Sequence, residues 1–317
     1  MMTHWSRQII LGGVAWLALA GLALPGWVDI GLIEQLFLLA PLVIVPLGLA
    51  LVDLPHRIEA EHLYGFIQLI QPICAAMAIA AFLIPPGPLA GMLAAGWLVL
   101  TGLTALLGVT RFLSRKNLKA TAIGLDAGLV YLFIGGGWLV MARLGLNPLG
   151  FGDVIVLLTA VHFHYAGFAA PILASLSGQA LSPAPDPLRK WHQISVFGII
   201  AGTPLVAAGI TFWPLLELAG ALIMAASLSI LLYLIRFIVL HRVTQRPVQL
   251  LLTVAGFSLI VGLLLIVVYA VTQFTGQAVI TIPQMARYHG VANALGFALC
   301  GLLAWNILEH KQPNESD

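Results

Sequence analysis

Charge is what this sequence has least of. Only 8% of its 317 residues are Asp, Glu, Lys or Arg, 61% belong to the apolar set AVILMFWYC, and the mean hydropathy is +1.03. An average soluble domain is about a quarter charged and about 45–50% apolar. A chain so poor in charge cannot clothe a water-facing surface, which argues against a soluble enzyme, a disordered protein and a nucleic-acid binder. The formal net charge of +2 is too small to point to a polyanionic partner. Cysteine is scarce as well: Cys74 and Cys300 both sit in apolar runs, as buried small hydrophobes rather than a disulfide or iron–sulfur frame. No GxxxxGK[ST], GxSxG, HExxH or CxxCH occurs, nor the HxxxH and HxxHH boxes of membrane di-iron oxygenases. An ATP-binding module would have to be another chain.

What is there is a series of long apolar stretches. A bilayer-spanning helix needs roughly 20 such residues, and ten stretches qualify: Ile9–Trp27, Ile30–Val52, Phe66–Ile84, Leu89–Phe112, Ala120–Leu144, Val154–Leu176, Ile194–Trp213, Leu215–Val239, Leu250–Phe274 and His289–Leu308. Pro85-Pro86-Gly87-Pro88 cannot continue a helix and predicts a tight turn between the third and fourth. Trp213-Pro214 separates the seventh from the eighth without any polar break. Backbone groups in lipid need internal partners, so the spans read as helices. The alternating pattern of a β-barrel is absent. The expected fold is all-α, a polytopic transmembrane bundle forming one integral-membrane domain over residues 1–311, with a disordered polar tail at 312–317.

Basic residues predict the orientation. With the N-terminus in the cytoplasm of a bacterial inner membrane, twelve of the fourteen Lys and Arg residues fall on the inner side. Arg143 and Arg287 alone fall outside. The C-terminus is then cytoplasmic too. The first apolar run is long and Leu24-Pro25-Gly26-Trp27 is a poor cleavage site, so the first helix is expected to stay attached.

Helices two to five can be laid over helices six to nine as a parallel tandem repeat of four helices. Glu34 then matches Asp153, Gln71-Pro72 matches Thr203-Pro204, Leu89-Ala-Gly91 matches Leu218-Ala-Gly220, and Arg111-Phe112 matches Arg236-Phe237. Internal duplication of this kind is common in membrane transport folds.

Ionisable groups inside spans are costly and point to a cavity, a partner or a pathway. Glu34, Asp153, Glu217 and His289 lie near the expected outer ends. His162 and His164 lie about 12–16 Å deeper along helix six, and Thr159, Gln35, Gln68 and Gln71 add polar atoms. Asn293 follows His289 by one turn on the same face. In His162-Phe-His164 the two rings point about 200° apart on a regular helix. One can face a cavity while the other bonds a neighbour, and Gly167 and Pro171 can distort the backbone between them. A divalent metal would take one of these histidines with His289 and a carboxylate, a donor set suited to zinc, iron or manganese. The plainer alternative is that the histidines are hydrogen-bonded between helices. Near the inner ends, Asp126 follows the Lys116–Lys119 run and predicts an ion pair. Asp53, His56, Arg57, Glu59, Glu61 and His62 read as a solvated connection. Trp191-His192 reads as an interfacial anchor at the start of helix seven, and Arg236 reaches inward.

The segments Thr159-Ala-Val-His162-Phe-His164-Tyr-Ala-Gly167-Phe and His289-Gly290-Val-Ala-Asn293-Ala-Leu-Gly296-Phe-Ala-Leu-Cys-Gly301-Leu-Leu-Ala-Trp305 resemble those of the YndJ-like family of bacterial polytopic membrane proteins. The resemblance implies that His162, His164, His289 and Asn293 act together. The function expected is proton-linked transport of a small molecule, with those four residues as the working groups and Glu34, Asp153, Glu217 and Thr159 at the substrate. Histidine is suited to proton exchange because its ordinary pKa lies near ambient pH. The rival reading is a membrane enzyme acting on a lipid, quinone or isoprenoid by acid–base or metal chemistry. A third is an accessory subunit whose polar residues join helices.

Overall fold

The computed structural model describes residues 4–54, 57–116, 118–181, 185–277 and 279–309. His56, Lys311 and the tail at 312–317 lie outside the described residues. Among the described residues there is no strand. Ten helices are long and apolar enough to cross a membrane. They are α1 (His4–Ala23), α2 (Leu32–Leu49), α3 (Ile58–Phe82), α4 (Pro88–Leu113), α5 (Ala120–Leu144), α6 (Asp153–Ala180), α7 (Asp186–Phe212), α8 (Pro214–Arg242), α9 (Arg246–Thr275) and α10 (Ile282–Glu309).

Several helices start earlier than their apolar runs. α3 begins at Ile58, so Glu59, Glu61 and His62 lie in its first turns and not in a connection. Acidic side chains are favoured there by the unpaired N–H groups and the positive end of the helix dipole. α7 begins at Asp186, which Arg189 pairs with one turn on. α10 begins at Ile282 behind a capping box: the Thr281 backbone N–H donates to Gln284 Oε1 at 2.9 Å, and Thr281 Oγ1 accepts from the Gln284 N–H. His289 therefore sits about 10 Å into its helix rather than at its start. Proline marks the two starts the sequence suggested, Pro88 for α4 and Pro214 for α8.

Four helices contain π-helical stretches: Ala40–Ile44 in α2, Phe163–Ala169 in α6, Ile235–Val239 in α8, and Ala286–Gly290 and Ala292–Leu299 in α10. In α2 the cause and the compensation are both visible. The Ala40 N–H turns to Phe37 O and the Val45 N–H to Ala40 O, while Pro41 and Pro46 have no N–H. The carbonyls of Leu36 and Pro41 thus lose their helical donors. Tyr165 Oη donates to Leu36 O at 2.8 Å and Gln71 Nε2 to Pro41 O at 2.7 Å. Both residues satisfy carbonyls that would otherwise be stranded in a dry core.

The helices gather into two compact units. The first takes in α1–α4, α5 from Leu125, and α6 up to Phe168. The second takes in the first turn of α5, the rest of α6, and α7–α10. In the first unit α2 is the most enclosed helix and α1 the least. Gly12 of α1 brings its backbone against the Leu42 carbonyl of α2, where any side chain would collide. α3 and α4 form an antiparallel hairpin. Within the second unit α7 and α8 do the same, with Gly209 against the Glu217 backbone and Gly220 against Val206 N, where a Cβ would come to 2.7 Å.

The two proposed repeat segments share devices. α2 and α6 each carry a π-stretch, α3 and α7 each carry an interior proline (Pro72, Pro204), and α4 and α8 each begin with one. They part at Gly91, which faces Leu144 of α5, whereas Gly220 faces α7. They part again at Arg111, which is ion-paired, whereas Arg236 is exposed over the Phe237 ring.

Candidate functional site

His164 lies about 16 Å along α6 and is fully enclosed. Its Nε2 accepts a hydrogen bond from the Trp97 indole N–H at 2.9 Å, and its Nδ1 lies 2.7 Å from the Ala160 carbonyl oxygen. A carbonyl only accepts, so Nδ1 carries the proton, and both nitrogens of a neutral ring are used. Phe37 meets the ring edge-on at 4.9 Å and Trp97 stacks on it at 6.1 Å, centroid to centroid. Gly135 of α5 provides the space, since a Cβ there would sit 2.7 Å from Nδ1. His164 thus joins α4 to α6. His162 is half-buried and meets Phe163 edge-on at 5.5 Å. The π-stretch beginning at Phe163 lies directly before Pro171, in the segment where distortion was expected.

The other expected residues of this unit bond within their own helices or to neighbouring backbone, or lie at helix starts. Thr159 Oγ1 donates to Ile155 O at 2.8 Å within its own helix. Asp153 is exposed at the start of α6 and accepts from Asn147 Nδ2 at 2.7 Å. Glu34 is half-buried in the first turn of α2. Gln35 Nε2 donates to Ile30 O at 3.2 Å, and the Gln68 carbonyl accepts from Gln8 Nε2 at 2.7 Å.

A charge network occupies the far end of α4. Arg111, 1% exposed, donates through Nε to Asp126 of α5 at 2.8 Å and through Nη2 to Asp53 at 2.7 Å; Arg115 also donates to Asp126. The sequence placed an ion pair at Asp126, and its partners are Arg111 and Arg115 rather than the lysines that follow.

In the second unit, His289 Nδ1 donates to the Gly262 carbonyl of α9 at 3.0 Å. Asn293 Nδ2 donates to the His289 carbonyl at 2.8 Å and lies 3.2 Å from Nδ1. With the proton on Nδ1, Nε2 is the basic atom, and it has no hydrogen-bond partner among the described residues. Two glycines let α9 and α10 approach this closely. A Cβ on Gly262 would be 2.5 Å from Asn293 Nδ2, and Gly296 leaves room for Ser258. The whole contact lies on the π-wound half of α10. Glu217 is half-buried near the start of α8. His192 lies two turns inside α7 and is buried, bonded through Nε2 to Ala174 O at 2.9 Å. It packs into the helices, whereas Trp191 beside it is exposed.

His162, His164, Thr159, Asp153 and Glu34 thus fall in the first unit, and His289, Asn293 and Glu217 in the second. Among the described residues no three His, Cys, Asp or Glu side chains come together as a metal-binding group. Trp97, Gly135 and Gly262, which position the two histidines, gave no sign in the sequence, because an indole or a glycine in an apolar run looks like any other packing residue.

Ten spanning helices with buried polar contacts between them define a polytopic α-helical membrane protein. The YndJ-like protein family matches residues 35–297, and the chain belongs to that family. The uncharacterized membrane protein YndJ of Bacillus subtilis (strain 168) is 29% identical over 292 residues, which is 91% of this chain and 51% of that protein. The chain therefore spans about half the length of this curated relative. No solved structure matches it.

Proposed function

We propose that this chain is the membrane part of a proton-linked transporter of a bacterial inner membrane, with both ends in the cytoplasm. The observation that carries the reading is His289: a histidine inside a span, with Nδ1 anchored on a backbone carbonyl and Nε2 open, on a helix wound as π for most of that half. π-Turns are rare and concentrate at functional sites. They also hold a helix in a winding it can leave.

Protonation at Nε2 adds a charge and a donor to a place where, among the described residues, neither an anion nor an acceptor is bonded to it. The protonated state therefore favours any arrangement of α9 and α10 that brings water, a substrate or a carboxylate to Nε2. Differential stabilisation of that kind is what couples a proton to a conformational change. Asn293, tied to the His289 carbonyl, moves with the ring. His162, Thr159, Glu34, Asp153 and Glu217 are the further polar groups assigned to the path and the substrate. His164 is assigned to structure, because both its nitrogens are already committed.

The test is proton flux across proteoliposomes holding a pH-sensitive dye. His289→Gln is expected to reduce flux at least about tenfold, whereas His164→Gln, which keeps an acceptor for Trp97, retains it. Unchanged flux in correctly folded His289→Gln protein would sink the reading. So would equal loss in both variants.

A further inference from the structure

We propose that the exposed face of the α7–α8 hairpin, at the end where α7 starts and α8 finishes, seats an anionic phospholipid. Its phosphodiester meets Lys190 and Arg236, and its acyl chains lie on the apolar side chains beside them. The hairpin itself brings the two cations level. Gly202 lies against the Met224 backbone and Gly209 against that of Glu217, and Ser195 Oγ donates to Ser227 O at 2.8 Å. In an antiparallel pair, each residue nearer the start of α7 is matched by one nearer the finish of α8. Carried on from Gly202 and Met224, position 236 comes level with position 190. Lys190 lies about 6 Å from the start of α7 and Arg236 about 9 Å from the finish of α8. Both are exposed.

Neither cation has an anion of its own. Among the described residues Lys190 and Arg236 form no ion pair and no side-chain hydrogen bond. Arg236 lies over the Phe237 ring, 5.5 Å from its centroid, and Tyr233 tilts against the same ring at 5.1 Å. Beyond them Arg242 donates to Ala180 O at 2.9 Å and Arg246 opens α9, again with no carboxylate partner among the described residues. The acids at this end are Asp186, which Arg189 pairs, and Glu309 at the finish of α10. Positive charge is therefore in surplus. The finish of α4 in the first unit is the contrast, since Asp126 and Asp53 neutralise Arg111 and Arg115 from within.

The surface beside the cations is apolar and open. Trp191, Ile194 and Phe197 of α7 are exposed, as are Tyr233 and Phe237 of α8. A ligand that fits both parts carries an oxyanion and hydrocarbon together. Phosphate oxygens match the guanidinium fork and take a further contact from the ammonium of Lys190, while acyl chains cover the rings and aliphatic side chains. A zwitterionic headgroup brings its own ammonium to a place already rich in cations, so the fit is to a lipid of net negative charge such as phosphatidylglycerol. A free phosphate would meet the cations and leave the apolar surface unused. The site shares no residue with His289 and does not rest on proton exchange.

Trp191, next to Lys190, reports which lipid is seated. The full chain is placed in dioleoyl phosphatidylcholine vesicles holding a minor share of lipid with brominated chains, which quench a tryptophan they touch. That share is supplied either as phosphatidylglycerol or as phosphatidylcholine, and the difference from Trp191→Phe protein isolates the signal of this one side chain. Brominated phosphatidylglycerol is expected to quench Trp191 well above the level set by its share of the bilayer, and brominated phosphatidylcholine at that level. Lys190→Gln and Arg236→Gln should each lower the preference about fivefold, and together remove it. Arg57→Gln, which takes an exposed charge from the first unit, should leave it unchanged. The proposal is overturned if Trp191 meets the two brominated lipids alike, or if Arg57→Gln lowers the preference as much as Arg236→Gln. It is also overturned if inorganic phosphate, added at constant ionic strength, abolishes the preference, which would assign the cations to a free anion. All the substituted side chains are exposed, so each variant should fold.

Discussion

Asp126→Ala is expected to cost about 3–5 kcal/mol. The reason is the group left behind. Arg111 is 1% exposed, and Asp126 is the enclosed member of its two carboxylate partners; the other, Asp53, is 70% exposed. Without Asp126 the guanidinium keeps only a hydrated partner at the edge, and Arg115 loses its contact as well. Asp53→Ala should cost far less, about 1 kcal/mol, because a solvent-exposed pair is already screened. Joint replacement of Arg111 by Met and Asp126 by Leu should restore most of the stability, since no charge is then left stranded. Unfolding in mixed detergent micelles, compared across the four proteins, separates these cases. Equal losses for Asp126→Ala and Asp53→Ala would show that the pair contributes as a surface interaction only.

His164→Leu is expected to cost about 1–3 kcal/mol, the desolvation of a buried donor left without an acceptor. Leucine fills much of the same space, so the loss comes chiefly from the Trp97 indole N–H, which pointed at Nε2 from 2.9 Å. His164→Gln should recover part of it. Gly135→Val attacks the same place from the other side, because its side chain would occupy the position of the imidazole, and should cost a similar amount by overpacking. Denaturation midpoints read against proton flux distinguish this from a working role: stability should fall while flux per folded molecule holds.

Much of the architecture could be read directly. The ten spans, the proline turn after α3 and the break at Trp213-Pro214 all follow from apolar length and from what proline forbids. The stacking of His289 and Asn293 followed from their spacing. Three things were hidden, each for a physical reason. Apolar runs under-measure helices whose first turns are polar, so α3, α7 and α10 begin about two turns before the hydropathy rises, and His289 is deeper than it looked. Periodicity arguments assume 3.6 residues per turn, so they cannot see the π-stretches, nor which of His162 and His164 turns inward. Pairing between helices is not local: the sequence offered Lys116 and Lys119 beside Asp126, but the side chain that reaches it across the α4–α5 contact is Arg111. Arg143 counted only toward orientation, since nothing in its local sequence shows that no carboxylate among the described residues pairs with it.

The π-stretch at Ala292–Leu299 bears on how this helix tolerates length change. Each backbone bond there reaches one residue further than in an α-helix, so the segment stores a surplus residue between two otherwise regular ends. Removing one residue within it should let the winding relax to α and leave the downstream face, from Cys300 on, close to its present heading. The same deletion in α9, which has no surplus, turns everything beyond it by about 100°. Single-residue deletion scanning of α9 and α10, read by folded yield, should therefore find a permissive window in α10 and none in Arg246–Thr275. Equal intolerance of both helices would mean that the π-wound backbone is itself required.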